Sequence, residues 1–137
     1  MPSSLYRRLL KEAGPCCGYC RTCAHLIGQP LTIEHIIAVA KGGTSAILNL
    51  WLSCRRCNQF KGVQIDAIDP ESGILTPLFN PRTQRWRGHF AWSADATRIV
   101  GLSPCGRATV VALKINNDDI VSTRRLWVSV GWHPPQE

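Results

Sequence analysis

The chain has 137 residues, 45% of them hydrophobic, which is ordinary for a globular protein with one core of its own. No segment approaches the roughly 20 apolar residues that span a bilayer, and the first residues lack the apolar run of a signal peptide, so we expect a cytoplasmic protein without a membrane partner. The net charge of +7 favours polyanions such as nucleic acid, although charge alone does not establish such a partner.

The first part of the chain predicts short helices and strands separated by turns. A basic helix is expected to end at Gly14-Pro15, and the paired glycines Gly42-Gly43 predict a loop between two strands. In chain order the predicted elements are a helix at 3–14, a strand at 31–33, a strand at 48–53 and a short helix from Cys54 to about Gly62.

The second part predicts a β-hairpin and two helices. Ser103-Pro104 is typical of a helix start, and Asn117 followed by two aspartates is typical of another. The expected elements are strands at 89–93 and 97–101, a helix to about residue 115 and a helix from about residue 118. No repeat or flexible linker indicates a second domain, so we expect one domain over residues 1–137.

Two Cys-x-x-Cys pairs predict a metal site. Cys17 and Cys20 form the first pair, and Cys54 and Cys57 form the second. Four thiolates at this spacing favour a structural zinc ion with tetrahedral ligands. Cys23 could replace Cys17, because Cys20 and Cys23 also have Cys-x-x-Cys spacing.

The other cysteines are expected to be thiols. Cys16, Cys23 and Cys105 lie outside the favoured pairs. A cytoplasmic location disfavours disulfides, and the odd number of cysteines argues against complete pairing.

Polar residues between and beside the cysteine pairs could hydrolyse a phosphodiester. That reaction needs a base to deprotonate water and a positive charge to stabilise the phosphorane. His35 could be the base, and Asn49 could orient it across the loop. Glu34 and Asn58 could supply oxygen ligands to a divalent metal such as Mg²⁺ or Mn²⁺.

These motifs together resemble those of HNH endonucleases. The resemblance covers about residues 14–63 and leaves 64–137 as a helical and β extension. It is carried by Cys17-Gly-Tyr-Cys20, Ile33-Glu-His-Ile-Ile37, Gly42-Gly-Thr44, Asn49-Leu50, Cys54-x-x-Cys57-Asn58 and Lys61-Gly62.

The family implies an α+β fold with a ββα-metal core, also called a His-Me finger, here with a Cys₄ zinc site. It implies DNA phosphodiester hydrolysis that leaves 5′-phosphate and 3′-hydroxyl ends. In the resemblance His35 is the base, Asn49 is the structural middle residue, Asn58 is the last residue of the motif, and Glu34 stands where an acidic metal ligand often precedes the base.

The chain departs from the family at one turn and resembles one subgroup in its tail. Ala38 stands where the family commonly has a proline after His-Ile-Ile. The absence of this proline is expected to loosen the turn. The tail is similar to bacterial, notably cyanobacterial, HNH proteins in Leu78-Phe-Asn-Pro-Arg82, His89-Phe90-x-Trp92 and Gly106-Arg-Ala-Thr109.

Basic residues after the motif are candidates for binding DNA phosphates. The expected contacts are Arg55, Arg56, Lys61 and Arg85, with Arg82 and Arg87 nearby in sequence. Trp86, Trp92 and His89 are expected to pack in the core instead of contacting bases.

Two other functions fit part of the pattern. A zinc-stabilised nucleic-acid-binding module would use the cysteines and arginines but not Glu34, His35 and Asn58 together. A redox or rubredoxin-like protein would need accessible sulfurs, and the sequence lacks the βαβ context of a thioredoxin-like site.

Overall fold

The computed structural model describes residues 3–136, which form a mixed helix and strand fold with three small two-stranded sheets. The chain divides into two compact units. The first contains the residues up to 65 together with 80–83, and the second contains 66–79 and the residues from 84 onward. The α+β fold class is confirmed, and the assignment of the whole chain to one domain stays a prediction.

The first unit contains three helices and one antiparallel strand pair. They are α1 (Ser4–Ala13), α2 (Ala24–Ile27), β1 (Thr32–His35), β2 (Leu50–Ser53) and α3 (Arg55–Lys61), with single 3₁₀ turns at Val39–Lys41 and Ile47–Asn49. The strands pair from Thr32 opposite Ser53 to His35 opposite Leu50. The predicted order of strand, loop, strand and helix is confirmed.

Local capping explains where the helices of this unit begin and end. The Ser3 hydroxyl accepts a hydrogen bond from the amide of Tyr6 at the start of α1, and Gly14 ends that helix with a φ of 77°. The Cys54 sulfur accepts from the amide of Cys57 at the start of α3, and Gly62 ends that helix with a φ of 53°. The second capping contact places two of the predicted zinc ligands on one turn.

The second unit contains two hairpins and three helices. They are β3 (Asp66–Ile68), β4 (Leu75–Pro77), α4 (Trp86–His89), β5 (Phe90–Trp92), β6 (Ile99–Gly101), α5 (Pro104–Ala112) and α6 (Asp118–Ser129). The predicted hairpin and the two long helices are confirmed. Helix α5 ends before the predicted residue 115, because Lys114 adopts a φ of 48°.

The hairpin of β3 and β4 was not predicted from the sequence beyond its turn. Arg107 of α5 binds the buried carboxylate of Asp69 through Nε and Nη2 at 2.9 and 3.0 Å. The bidentate hydrogen bonds from Arg107 hold the pKa of Asp69 well below its usual range. A long-range ion pair therefore fixes the turn that closes this hairpin.

Aromatic side chains form much of the core of the second unit. Trp86 is 3% exposed and packs with its ring centroid 5.3 Å from that of Phe90 and 5.5 Å from that of Trp92. His89 packs edge-on against Phe79, and its Nδ1 lies 2.6 Å from the Ser103 hydroxyl. Trp86 is therefore a core residue as predicted, whereas Trp92 and His89 are half-buried.

The thiol prediction is wrong for two of the three remaining cysteines. Cys16 and Cys23 form a disulfide, whereas Cys105 is a half-buried free thiol. An antiparallel backbone bridge places Cys16 opposite Cys23, with their Cα atoms 3.8 Å apart. The turn that carries the first predicted zinc pair therefore brings these two sulfurs together.

No helix within residues 3–136 is long and apolar enough to cross a membrane.

Candidate functional site

Four buried cysteines form one cluster in the first unit. The sulfurs of Cys17, Cys20, Cys54 and Cys57 all lie within 4.8 Å of one another. Each of these residues is at most 3% exposed, and the sulfurs of Cys20 and Cys54 are 3.6 Å apart. The favoured set with Cys17 is therefore the one that the fold brings together, while Cys23 is in the disulfide.

The cluster suits a zinc ion in both distance and charge. Zinc–sulfur bonds of about 2.3 Å place four tetrahedral sulfurs about 3.8 Å apart. Hydrogen bonds from Cys17, Cys54 and Cys57 hold the pKa of Cys20 well below its usual range, whereas burial raises the pKa of Cys17. A dication is the group that stabilises several thiolates in such a dry site.

His35 and Asn58 line the same cleft. His35 ends β1 and Asn58 lies in the middle of α3, and both side chains are half-buried. The cleft has a volume of about 300 Å³, and its other lining residues are Ile33, Ala38, Val39, Ala40, Gly62 and Val63. The fold therefore brings an imidazole and an amide from distant parts of the sequence to one solvent-accessible opening.

Ser45 is a contact of His35 that the sequence did not predict. Its hydroxyl oxygen lies 3.0 Å from the His35 Nε2. The other ring nitrogen, Nδ1, has no hydrogen-bond partner among residues 3–136. A serine in a Gly-Gly-Thr-Ser loop carries no signal that would distinguish it from an ordinary turn residue, because its role depends on where the loop folds.

Asn49 holds the loop between β1 and β2 closed. Its Oδ1 accepts from the amide of Ile37 at 2.9 Å, while its Nδ2 donates to the carbonyl oxygens of Ile37 at 2.9 Å and Thr44 at 2.7 Å. Gly43 is required at the same place, because a Cβ there would overlap the Ile37 carbonyl oxygen. These contacts hold the loop, and the predicted role of Asn49 in orienting His35 stays a proposal.

We expect Asn49→Ala to destabilise the first unit by about 1–2 kcal/mol, because three hydrogen bonds from a half-exposed side chain are lost. Chemical denaturation with a spectroscopic probe in the first unit measures the change. Leu48→Ala is the matched control, since Leu48 is 75% exposed in the same 3₁₀ turn. Equal stability of the two variants would contradict this account of the loop.

The turn at Ala38 is already in a conformation that proline adopts. Its φ is −58° and its ψ is 146°, and its amide donates no hydrogen bond to any residue that the structure describes. We therefore expect Ala38→Pro to raise the free energy of unfolding by about 0.4–1 kcal/mol, because it restricts the unfolded chain. A lower melting temperature for this variant would show that the ring does not fit the turn.

Glu34 lies in a buried network behind the cleft. Adjacent strand residues point to opposite faces, so Glu34 is 2% exposed while His35 reaches the cleft. The Glu34 Oε1 lies 2.9 Å from Lys61 Nζ and accepts from the Tyr19 hydroxyl at 2.9 Å. Burial raises the pKa of Glu34, although Lys61 and Tyr19 act in the opposite direction.

The donors partly match the predicted divalent-metal site. The Glu34 Oε2 is buried and has no hydrogen-bond partner among residues 3–136, so it remains available as a carboxylate ligand. Asn58 adds an amide oxygen from the cleft, and this pair of oxygens suits Mg²⁺ or Mn²⁺. Glu34 itself is buried and does not line the cleft, so the structure brings His35 and Asn58 together there without Glu34.

The basic residues differ in what they can contact. Arg55 is exposed and Arg56 is half-buried, and both line a groove of about 430 Å³ with Gln29, Gln59 and Phe60. Arg85 is exposed in the second unit, where it precedes α4. These three remain candidates for phosphate contacts.

The prediction that Lys61 contacts DNA does not agree with its burial. Lys61 is 2% exposed, and its ammonium donates to the carbonyl oxygens of His35 and Ile36 and pairs with Glu34. Arg82 is similarly engaged, since it donates to the Leu50 carbonyl oxygen and pairs with Glu12 at 2.7 Å. Both cations therefore form their ion pairs and hydrogen bonds with other residues of the first unit.

The comparison with known families covers the segment that carries this site. Residues 17–64 match the family model described as HNH endonuclease, whereas no significant match to a curated protein or a solved structure was found. The match includes both cysteine pairs, His35, Asn49 and Asn58, and it supports a nuclease-type function. The similarity of the tail to a bacterial subgroup stays a prediction. Residues 17–64 of this chain are therefore similar to the HNH endonuclease family over the segment that carries both cysteine pairs and the cleft.

Proposed function

We propose that the protein is a metal-dependent endonuclease that hydrolyses DNA phosphodiester bonds. The observation that carries this proposal is the shared cleft of His35 and Asn58 within the segment that matches the HNH family. The cysteine cluster acts as a structural zinc centre, because it is fully buried and offers four sulfurs without an open position for a substrate.

In this proposal His35 is the general base. We assign the ring proton to Nε2, which then donates a hydrogen bond to the Ser45 hydroxyl oxygen and leaves Nδ1 unprotonated to take a proton from the attacking water. Asn49 keeps the loop that carries Ser45 closed over the end of β1 through its bonds to Ile37 and Thr44. The imidazole is thereby held in one orientation relative to the scissile phosphate.

Asn58 through its amide oxygen would hold a Mg²⁺ or Mn²⁺ ion at the cleft, and the buried Oε2 of Glu34, which does not line the cleft, would need a local rearrangement to join it. When bound, such an ion stabilises negative charge on the phosphorane and on the leaving 3′ oxygen. Because the Asn58 amide is neutral, it does not repel the negatively charged phosphate as a carboxylate ligand would.

The DNA backbone is proposed to follow the side of α3 that carries Arg55. On a helical projection Arg55 lies three residues before Asn58 and therefore close to it, whereas Arg56 lies on a different side. Arg55 is thus favoured for contacts near the scissile phosphate, and Arg56 and Arg85 for more distant phosphates. Binding is expected to weaken as the salt concentration rises.

The proposal is tested with zinc-loaded, desalted protein and supercoiled plasmid in Mg²⁺, in Mn²⁺ or without added divalent metal. We expect cleavage in at least one metal, no cleavage without added metal, and breaks that DNA ligase reseals because they carry 5′-phosphate and 3′-hydroxyl ends. DNA binding without cleavage in either metal would favour the zinc-stabilised binding module instead.

A further inference from the structure

A buried chain of polar contacts joins the first cysteine pair to the backbone of His35. Tyr19 lies between Cys17 and Cys20 and is fully buried. Its hydroxyl donates to Glu34 Oε1 at 2.9 Å, and Lys61 Nζ lies 2.9 Å from the same oxygen. The Lys61 ammonium then donates to the carbonyl oxygens of His35 at 3.1 Å and Ile36 at 2.9 Å.

Each proton of the Lys61 ammonium has an oxygen acceptor within hydrogen-bond distance. Three oxygens surround Nζ, and an ammonium has three protons to donate. A buried lysine is costly unless it is paired and hydrogen-bonded, and Lys61 is both. Two of its three acceptors are main-chain oxygens at the point where β1 ends, so the ammonium fixes the backbone from which the His35 side chain projects.

We propose that Lys61 is a positioning residue for His35, held in place by Glu34 and, through Glu34, by Tyr19 of the cysteine turn. The catalytic part of this inference rests on the proposed function. The folding of the cysteine turn around zinc and the orientation of the His35 ring are then coupled through Tyr19, Glu34 and Lys61. Lys61 itself touches neither the cleft nor a substrate.

Amide hydrogen exchange tests the positioning without any need for activity. The informative amides are those of Ile36, which donates to the Asn49 carbonyl oxygen, and Ile37, which donates to the Asn49 side chain. In zinc-loaded Lys61→Met we expect their protection to fall by roughly ten- to a hundredfold relative to Gly14, because two charge-assisted hydrogen bonds to the backbone are lost. The Gly14 amide, which closes α1, is the internal reference.

Lys41→Met is the matched control, because Lys41 is an exposed lysine in the loop between β1 and β2. It should leave the protection of Ile36 and Ile37 unchanged. Equal loss of protection at Ile36, Ile37 and Gly14 in Lys61→Met would overturn the inference, since it would mean that Lys61 contributes only to overall stability.

Tyr19→Phe is a milder variant that tests the same chain of contacts if Lys61→Met does not fold. Removing one hydroxyl leaves the ring in place, and we expect an approximately two- to tenfold loss of protection at Ile36 and Ile37 with zinc retained. Unchanged protection at both amides would contradict the chain of contacts.

Cleavage kinetics separate the two proposals. We expect Lys61→Met, corrected for its folded fraction, to lower kcat by about ten- to a hundredfold while the KM for DNA stays unchanged, as misplacement of a base does. Unchanged kcat would overturn the positioning role. If wild-type protein cuts no DNA, the proposed function fails, and amide exchange alone still decides whether Lys61 holds the end of β1.

Discussion

Replacing Cys54 by serine is expected to unfold the first unit and to abolish stoichiometric zinc binding. Structural zinc contributes on the order of 10–16 kcal/mol to the folding of small zinc domains, which exceeds or equals the whole stability of a typical domain, about 5–15 kcal/mol. Cys54 also caps α3 through its contact with the amide of Cys57, so the same change weakens the helix that carries Asn58. Zinc content and the dispersion of amide signals from the first unit measure the result.

Cys105→Ser is the matched control for this prediction. Cys105 is a half-buried free thiol outside the cluster, so its replacement should leave one zinc ion per chain and a folded first unit. Strong chelators should reproduce the effect of Cys54→Ser on the wild-type protein. A folded Cys54→Ser protein that binds no metal would show that the cluster is not a structural zinc site.

Replacing His35 by alanine is expected to lower the rate of DNA cleavage by about 10²–10⁴-fold, the contribution of a general base to such a step. The His35 ring is half-buried at the cleft and its hydrogen-bond partner is Ser45, so its removal takes little from the interior of the first unit. Zinc content and the unfolding curve should therefore change little. Single-turnover cleavage of a labelled duplex at saturating protein measures the rate.

His25→Ala is the control for the loss of a histidine. His25 lies exposed on α2 and does not line the cleft. It should retain the wild-type rate under the same conditions. A comparable loss of activity in both variants would point to a general effect of the substitutions and not to a base at position 35.

The sequence predicted the parts of the fold that depend on local patterns. The start of α5 at Ser103-Pro104 and of α6 at Asn117 follow from residues that cap helices within one turn. The cysteine cluster follows from two close-range pairs that each form a turn. The order of β1, loop, β2 and α3 places His35 and Asn58 at one cleft because that arrangement is compact and continuous in sequence.

The features that the sequence did not predict depend on distant partners. Lys61 resembles a solvated helix-end lysine, and its burial becomes visible only when strand alternation turns Glu34 inward. The pairing of β3 with β4 depends on Arg107 reaching Asp69 from another helix. The Cys16–Cys23 disulfide depends on the shape of the turn between them, which the Cys-x-x-Cys spacing alone does not specify.

Catalysis of phosphodiester hydrolysis by His35 is tested by incubating equal amounts of zinc-loaded wild-type and His35→Ala protein with supercoiled plasmid and Mg²⁺ or Mn²⁺. We expect the wild-type protein to cut the plasmid and the variant to be slower by at least about 100-fold. Equal rates for the two proteins, or no cutting by the wild type, would contradict this role of His35.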